Sequence, residues 1–227
     1  MKNITFEEGT EKVAHSVFCR CAGPLEVILP DSVKNIGNSA FYNSGITKIE
    51  MANSSNNENG GTIEKYAFGG CKNLVEVKIS NAVTTLEVFS FQNCTGLESI
   101  EIPKSIATCG DNGSSGAFTG CTNLKNIKFE QGTEKVAPSV FCRCAGPLEV
   151  NLPDSVKIIG DGAFNRSGLT KITIPDSLKT ISINAFSGCS SLSTVNYRGD
   201  ATAWSKISIA GGNEAIKNVT PTFNYDD

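Results

Sequence analysis

Histidine is nearly missing from this chain: His15 is the single copy in 227 residues. Triads that need an imidazole base, and metal sites built on several imidazoles, have almost no raw material here. Tryptophan is equally scarce, with Trp204 alone. Charged residues make up 19%, and 20 Lys+Arg against 23 Asp+Glu leave a formal net charge of −3. That balance offers no basic footprint for nucleic acid, and it is too close to neutral for general disorder. No apolar run approaches the roughly 18–20 residues of a membrane helix. The opening MKNITFEEGT lacks the apolar core of a signal peptide. An ordinary hydrolase is therefore a poor reading. What the chain has in quantity is Gly (22), Phe (12) and Cys (9), and these recur at fixed intervals.

Residues 6–51 and 129–174 match at 35 of 46 positions with an offset of 123 residues. Inside that duplication runs a shorter period. Phe18, Phe41, Phe68, Phe91, Phe118, Phe141, Phe164 and Phe186 are spaced by 23, 27, 23, 27, 23, 23 and 22 residues. Each Phe is followed three residues on by Cys or Ser, then by a Leu and an apolar alternation such as Val77-Lys78-Ile79. Such alternation is the mark of a strand with one buried face. Pro30, Pro103, Pro153 and Pro175 end that strand, because proline cannot donate to a ladder. A single unit cannot bury its own Leu, Ile and Phe, so stacking on neighbours must close the core. The expected fold is a right-handed leucine-rich-repeat solenoid of about eight repeats. One short parallel strand forms per turn, with irregular or short elements on the convex side. At about 4.8 Å per strand this gives a rod or arc of roughly 40 Å.

The copies LPDSVKIIGDGAF and SGLTKITIPDSLKTISINAFSGCSSLSTV resemble the BspA-type leucine-rich repeat, over about residues 2–197. Departures are the GTEKVA openings, Pro24 and Pro147 at the usual Leu position, and Ser44 and Ser167 at the Cys position. The resemblance implies secreted or surface-displayed proteins of host-associated bacteria and some protozoa, acting in adhesion and protein–protein contact. It implies no enzyme. The partner expected from it is a host or microbial surface protein, with a glycan as the alternative. Nucleic acid, membrane insertion by this segment, cofactors and metals are not expected. Residues 1–197 read as the solenoid and 198–227 as a C-terminal closing segment. Because the chain opens inside a repeat strand, the expectation is a segment of a longer protein.

Several constellations invite a sharper reading. Cys21, Cys71, Cys94, Cys121, Cys144 and Cys189 share one register position, which favours an inward column of compact apolar side chains over disulfides or zinc. Cys19, Cys109 and Cys142 remain as candidates for exposed thiols. His15, replaced by Pro138 in the second copy, reads as a surface side chain. Arg198-Gly199-Asp200 is an RGD tripeptide, which integrins read when it stands in an exposed loop; the Gly alone also accounts for a turn. The inserts Asn53–Gly61 and Gly110–Gly116 fall on one edge, as tolerated loops or as a binding side. Glu58 and Asp111 supply too few carboxylates for a convincing calcium cage. Sequons stand at Asn3, Asn53, Asn93, Asn112, Asn165 and Asn218.

The outward strand positions are the remaining candidates. They include Glu26, Lys48, Glu50, Glu76, Lys78, Glu101, Lys128, Glu149 and Lys171, on adjacent parallel strands. Glu50, Lys78, Glu101 and Lys128 alternate in sign. One reading is a charge ladder that keeps the sheet soluble. The other is a polar concave face for a protein or glycan partner. The columns hold none of the Trp, Tyr and Arg that dominate interface hot spots. Two functions follow: an adhesive interaction module, or a spacer that presents other domains of a longer protein.

Overall fold

A computed structural model describes residues 2–53, 60–110 and 114–226. The chain winds as a solenoid of about eight turns with two columns of parallel strands. The open-face column holds β1 (Lys2–Thr5), β3 (Leu25–Leu29), β5 (Ile46–Met51), β7 (Glu76–Lys78), β9 (Ser99–Ile102), β11 (Asn126–Phe129), β13 (Glu149–Asn151), β15 (Lys171–Ile174) and β17 (Thr194–Tyr197). The second column holds β2 (Lys12–Val13), β4 (Asn35–Ile36), β6 (Gly61–Ile63), β8 (Val83–Leu86), β10 (Thr108–Cys109), β12 (Lys135–Val136), β14 (Ile158–Ile159), β16 (Thr180–Ile181) and β18 (Ser208–Ile209). Two single-turn helices follow the last open-face strand, α1 (Ala201–Trp204) and α2 (Glu214–Lys217). The regular second column is a finding beyond the sequence reading. Most of its strands are only two residues long, too short for alternation to register.

Neither column is continuous. The open face is a four-stranded sheet, β1-β3-β5-β7, and a five-stranded one, β9 to β17. The second column divides between β10 and β12. Along β9 and β11 the alternation is strict: Ser99, Glu101, Asn126 and Lys128 are exposed, while Ile100, Ile102, Ile127 and Phe129 are buried.

The register phenylalanines stack through the interior with ring centroids 5.0–5.7 Å apart. All but Phe18 are fully buried. Their backbones are tied as well: Phe41 N–H donates to Ala67 O at 2.7 Å and Phe164 N–H to Ala185 O at 2.8 Å. The thiols behind them form a second column, in which Cys71, Cys94, Cys121 and Cys189 each direct Sγ at the carbonyl of a register Phe one turn before. Ser44 and Ser167 take the thiol's place in the two units that lack it, each 3.6 Å from the next Cys Sγ. A Cβ on Gly168 would run into Gly146 O, so the two turns nest closely there only because residue 168 is glycine.

Two of the candidate exposed thiols are buried instead. Cys142 is fully enclosed and Cys109 is 6% exposed. The longer connection before Phe118 places the Ala117 N–H against Cys109 Sγ, and burial pushes that thiol up to about 12. Cys19 is partly exposed. Glu58, Asp111 and the sequon at Asn112 lie outside the described residues.

Candidate binding face

Alternation along the open-face strands carries their polar side chains away from the core. In the first half these side chains close on one another. Lys48 Nζ lies 2.8 Å from Glu76 and 3.6 Å from Glu50, and Lys78 Nζ lies 2.9 Å from Glu50. The Lys78 hydrogen bond holds the Glu50 carboxyl below its ordinary range, and the Glu76 hydrogen bond raises Lys48. Strand pairing sets this up, since Lys48 faces Glu76 and Glu50 faces Lys78 in register.

The second half behaves differently. Lys78 and Glu101 are separated by the break between β7 and β9. Glu101 is in register with Lys128, and Glu149 with Lys171, yet these four side chains form no ion pair among the described residues. Glu26 likewise has none. Two depressions of about 430 and 490 Å³ lie on this half and share Ile127, Lys128 and Asn151. Arg198 and Asp154 border one of them; Lys171, Thr173 and Tyr225 border the other.

Tyr225 was not a sequence candidate. It reaches this face because the tail returns beside β17: Tyr197 N–H donates to Thr222 O at 2.8 Å, and Tyr225 N–H donates to Tyr197 O at 3.1 Å. Nothing in the sequence Thr222-Phe-Asn-Tyr225 marks it as a strand partner. Trp204 and Phe223 pack edge-on against Tyr197 and anchor that return.

The RGD tripeptide is occupied by the fold. The Arg198 guanidinium donates to Leu152 O, Asp154 Oδ1 and Asn151 Oδ1, each at 3.0 Å. Asp200 accepts the Ala203 N–H at 2.7 Å, starting α1. Both charged side chains thus have structural partners. His15 is a surface side chain, 61% exposed, with Nδ1 3.3 Å from Glu64. Glu64 also accepts from Lys12 Nζ and from Asn38 N–H, so one carboxylate ties three turns together. Burial opposes its charge, but these donors leave it below the ordinary carboxylate range.

Among the described residues no group of three or more His, Cys, Asp or Glu is placed to hold a metal ion. The column thiols are poor nucleophiles, because burial raises Cys94, Cys121 and Cys144 well away from ionisation at neutral pH. No helix among the described residues is long and apolar enough to cross a membrane.

Two columns of short parallel strands around a stacked aromatic core, with an open polar sheet face, define a leucine-rich-repeat solenoid. The sequence matches the profile described as BspA type Leucine rich repeat region in six copies, over residues 1–113, 55–145 and 112–220, and the chain belongs to that family. Among solved structures, it is similar to the leucine-rich repeat protein TpLRR of T. pallidum (19% identity, TM-score 0.45, covering 97% of this chain and 84% of that one). It is also similar to a leucine-rich repeat protein of Eubacterium ventriosum (19%, TM-score 0.49, 99% and 83%). A third is a leucine rich cell surface protein of Faecalibacterium prausnitzii (17%, TM-score 0.33, 92% and 91%). Scores at this level carry nothing about activity or partners. No curated protein matches the chain.

Proposed function

We propose that this segment is a non-enzymatic interaction module displayed outside the cell, secreted or held at the cell surface, that adheres to host or neighbouring cells. The observation that carries this reading is the unpaired second half of the open face. Four charged side chains on four adjacent strands (Glu101, Lys128, Glu149 and Lys171) form no ion pairs with one another, beside open depressions of about 430 and 490 Å³. Family membership supports the extracellular setting. A rigid, preformed face loses little conformational freedom when it binds. The family-level expectation for its partner is a surface protein.

The test is attachment of the purified chain to cultured epithelial and microbial cells. Charge reversal at Lys128 and Lys171 is expected to abolish attachment. Neutralising Glu26, which lies on the other half, is expected to leave it intact. A second reading, a spacer that only presents other domains, is favoured by the closed network of Lys48, Glu50, Glu76 and Lys78, which looks inward for its partners. A folded chain that attaches to no surface supports the spacer.

A further inference from the structure

The unpaired half of the open face also carries information about the chemistry of its partner. Every outward side chain on β9, β11, β13 and β15 is polar. Protein interfaces draw most of their affinity from apolar and aromatic anchors set in dry pockets, and these strands present none. The charges of Glu101, Lys128, Glu149 and Lys171 sum to zero, so the face lacks the one-sided field that gathers a polyanion or a polycation.

What remains is a dense set of hydrogen-bonding groups lining a depression of about 490 Å³, with one aromatic side chain among the lining residues. The ring is Tyr225, held there by the backbone bond to Tyr197. Thr173 lines the same depression. A hydroxyl-rich ligand seated in the depression would find both donors and acceptors in this lining.

We infer that the ligand of this trough is a neutral oligosaccharide, an inference that rests on the adhesion reading above. A sugar ring lays a C–H face on Tyr225, and its hydroxyls exchange hydrogen bonds with Asn126, Lys128, Glu149 and Thr173. Lys128 and Glu149 serve as donor and acceptor for hydroxyls, the role their lack of ion pairing leaves open.

The test is a titration of the whole chain with neutral tetrasaccharides (maltotetraose, cellotetraose, mannotetraose and chitotetraose), followed by calorimetry and amide chemical shifts. At least one is expected to saturate, with shifts concentrated on β11, β13, β15 and Tyr225. Tyr225→Ala, Asn126→Ala and Thr173→Val are each expected to weaken it by roughly tenfold, with circular dichroism unchanged. Absence of saturable binding to all four sugars overturns the inference. So does binding undiminished in all three variants. Cell attachment then separates this inference from the adhesion reading. Periodate treatment of the target cells, which cleaves vicinal diols of sugars, is expected to abolish attachment. Attachment that survives periodate but is lost to protease identifies a protein partner; adhesion then stands and the oligosaccharide falls. No attachment before either treatment overturns adhesion itself.

Discussion

Ser90 occupies the position directly before a register phenylalanine, where Ala40, Ala67, Ala117, Ala163 and Ala185 stand in other turns. It is fully buried and its Oγ has no partner. The hydroxyl has lost its water and gained nothing in return, so Ser90→Ala is expected to stabilise the protein by about 1 kcal/mol. A shift of the urea midpoint upward with an unchanged slope is the expected result; a downward shift would mean that the hydroxyl is bonded in solution. Tyr66 and Phe89 show strain of another kind. Both hold φ near +60° (57° and 64°) two residues before a register Phe, where other turns place Ser, Gly or Asn. Bulky residues there cost on the order of 1–3 kcal/mol. Their rings stack on each other at 5.3 Å, which offsets part of that cost.

The last turn shows how an element can be completed without a further repeat. Inside the array the N–H groups of Phe18, Phe41, Phe68, Phe91, Phe141 and Phe164 each find a carbonyl on the next turn; at Phe186 the Asn213 side chain stands in, accepting through Oδ1 at 2.9 Å. Its Nδ2 donates to Ser182 O and Ala210 O at 2.9 Å each. Asn213→Ala strands one buried N–H and two part-buried carbonyls at once and is expected to cost about 2–4 kcal/mol. Asn213→Asp is expected to fail as well, because a carboxylate cannot donate to two carbonyls. Denaturation of both variants followed at Trp204 checks this. The period of Phe, Leu and Cys was legible in the sequence because burial repeats it at fixed intervals. The role of Asn213 was not, since it occurs once and imitates a backbone group with a side chain. The division of the open face was also hidden. Glu50–Lys78 and Glu101–Lys128 are the same residue pairs in equivalent register, and their difference in pairing depends on side-chain placement and on a sheet break that no residue type announces. Cys109 and Cys142 were misplaced for a related reason: their burial comes from neighbouring turns, not from their own register position.

At the scale of the molecule, the ion pairs set a pH window. The Lys78 hydrogen bond depresses Glu50, the Lys104 N–H depresses Glu130, and Glu64 is depressed by Lys12 and Asn38 against the opposing effect of its burial. Each therefore adds stability above the unfolded value of 4.5 that is lost as pH falls through the lower folded value. Lys48 is raised above 10.5, so its share is lost only as pH climbs past that point. Denaturation midpoints are expected to hold between these limits and to fall in acid; a midpoint unchanged well below pH 4.5 would show the carboxylates to be unpaired in solution. Cooperativity is the larger question for an array in which each turn touches only its neighbours. The two sheet breaks fall at successive turn interfaces. Where β7 and β9 part, β8 and β10 remain paired; where β10 and β12 part, β9 and β11 remain paired. The rings of Phe68, Phe91, Phe118 and Phe141 stack without interruption across both interfaces. No single plane between turns loses all three connections, so the array is expected to unfold as one unit. Trp204 fluorescence reports the C-terminal end and far-ultraviolet circular dichroism reports every strand, so the two urea transitions should coincide. A tryptophan transition that runs ahead of the dichroism would mean that the breaks divide the solenoid into two blocks of unequal stability.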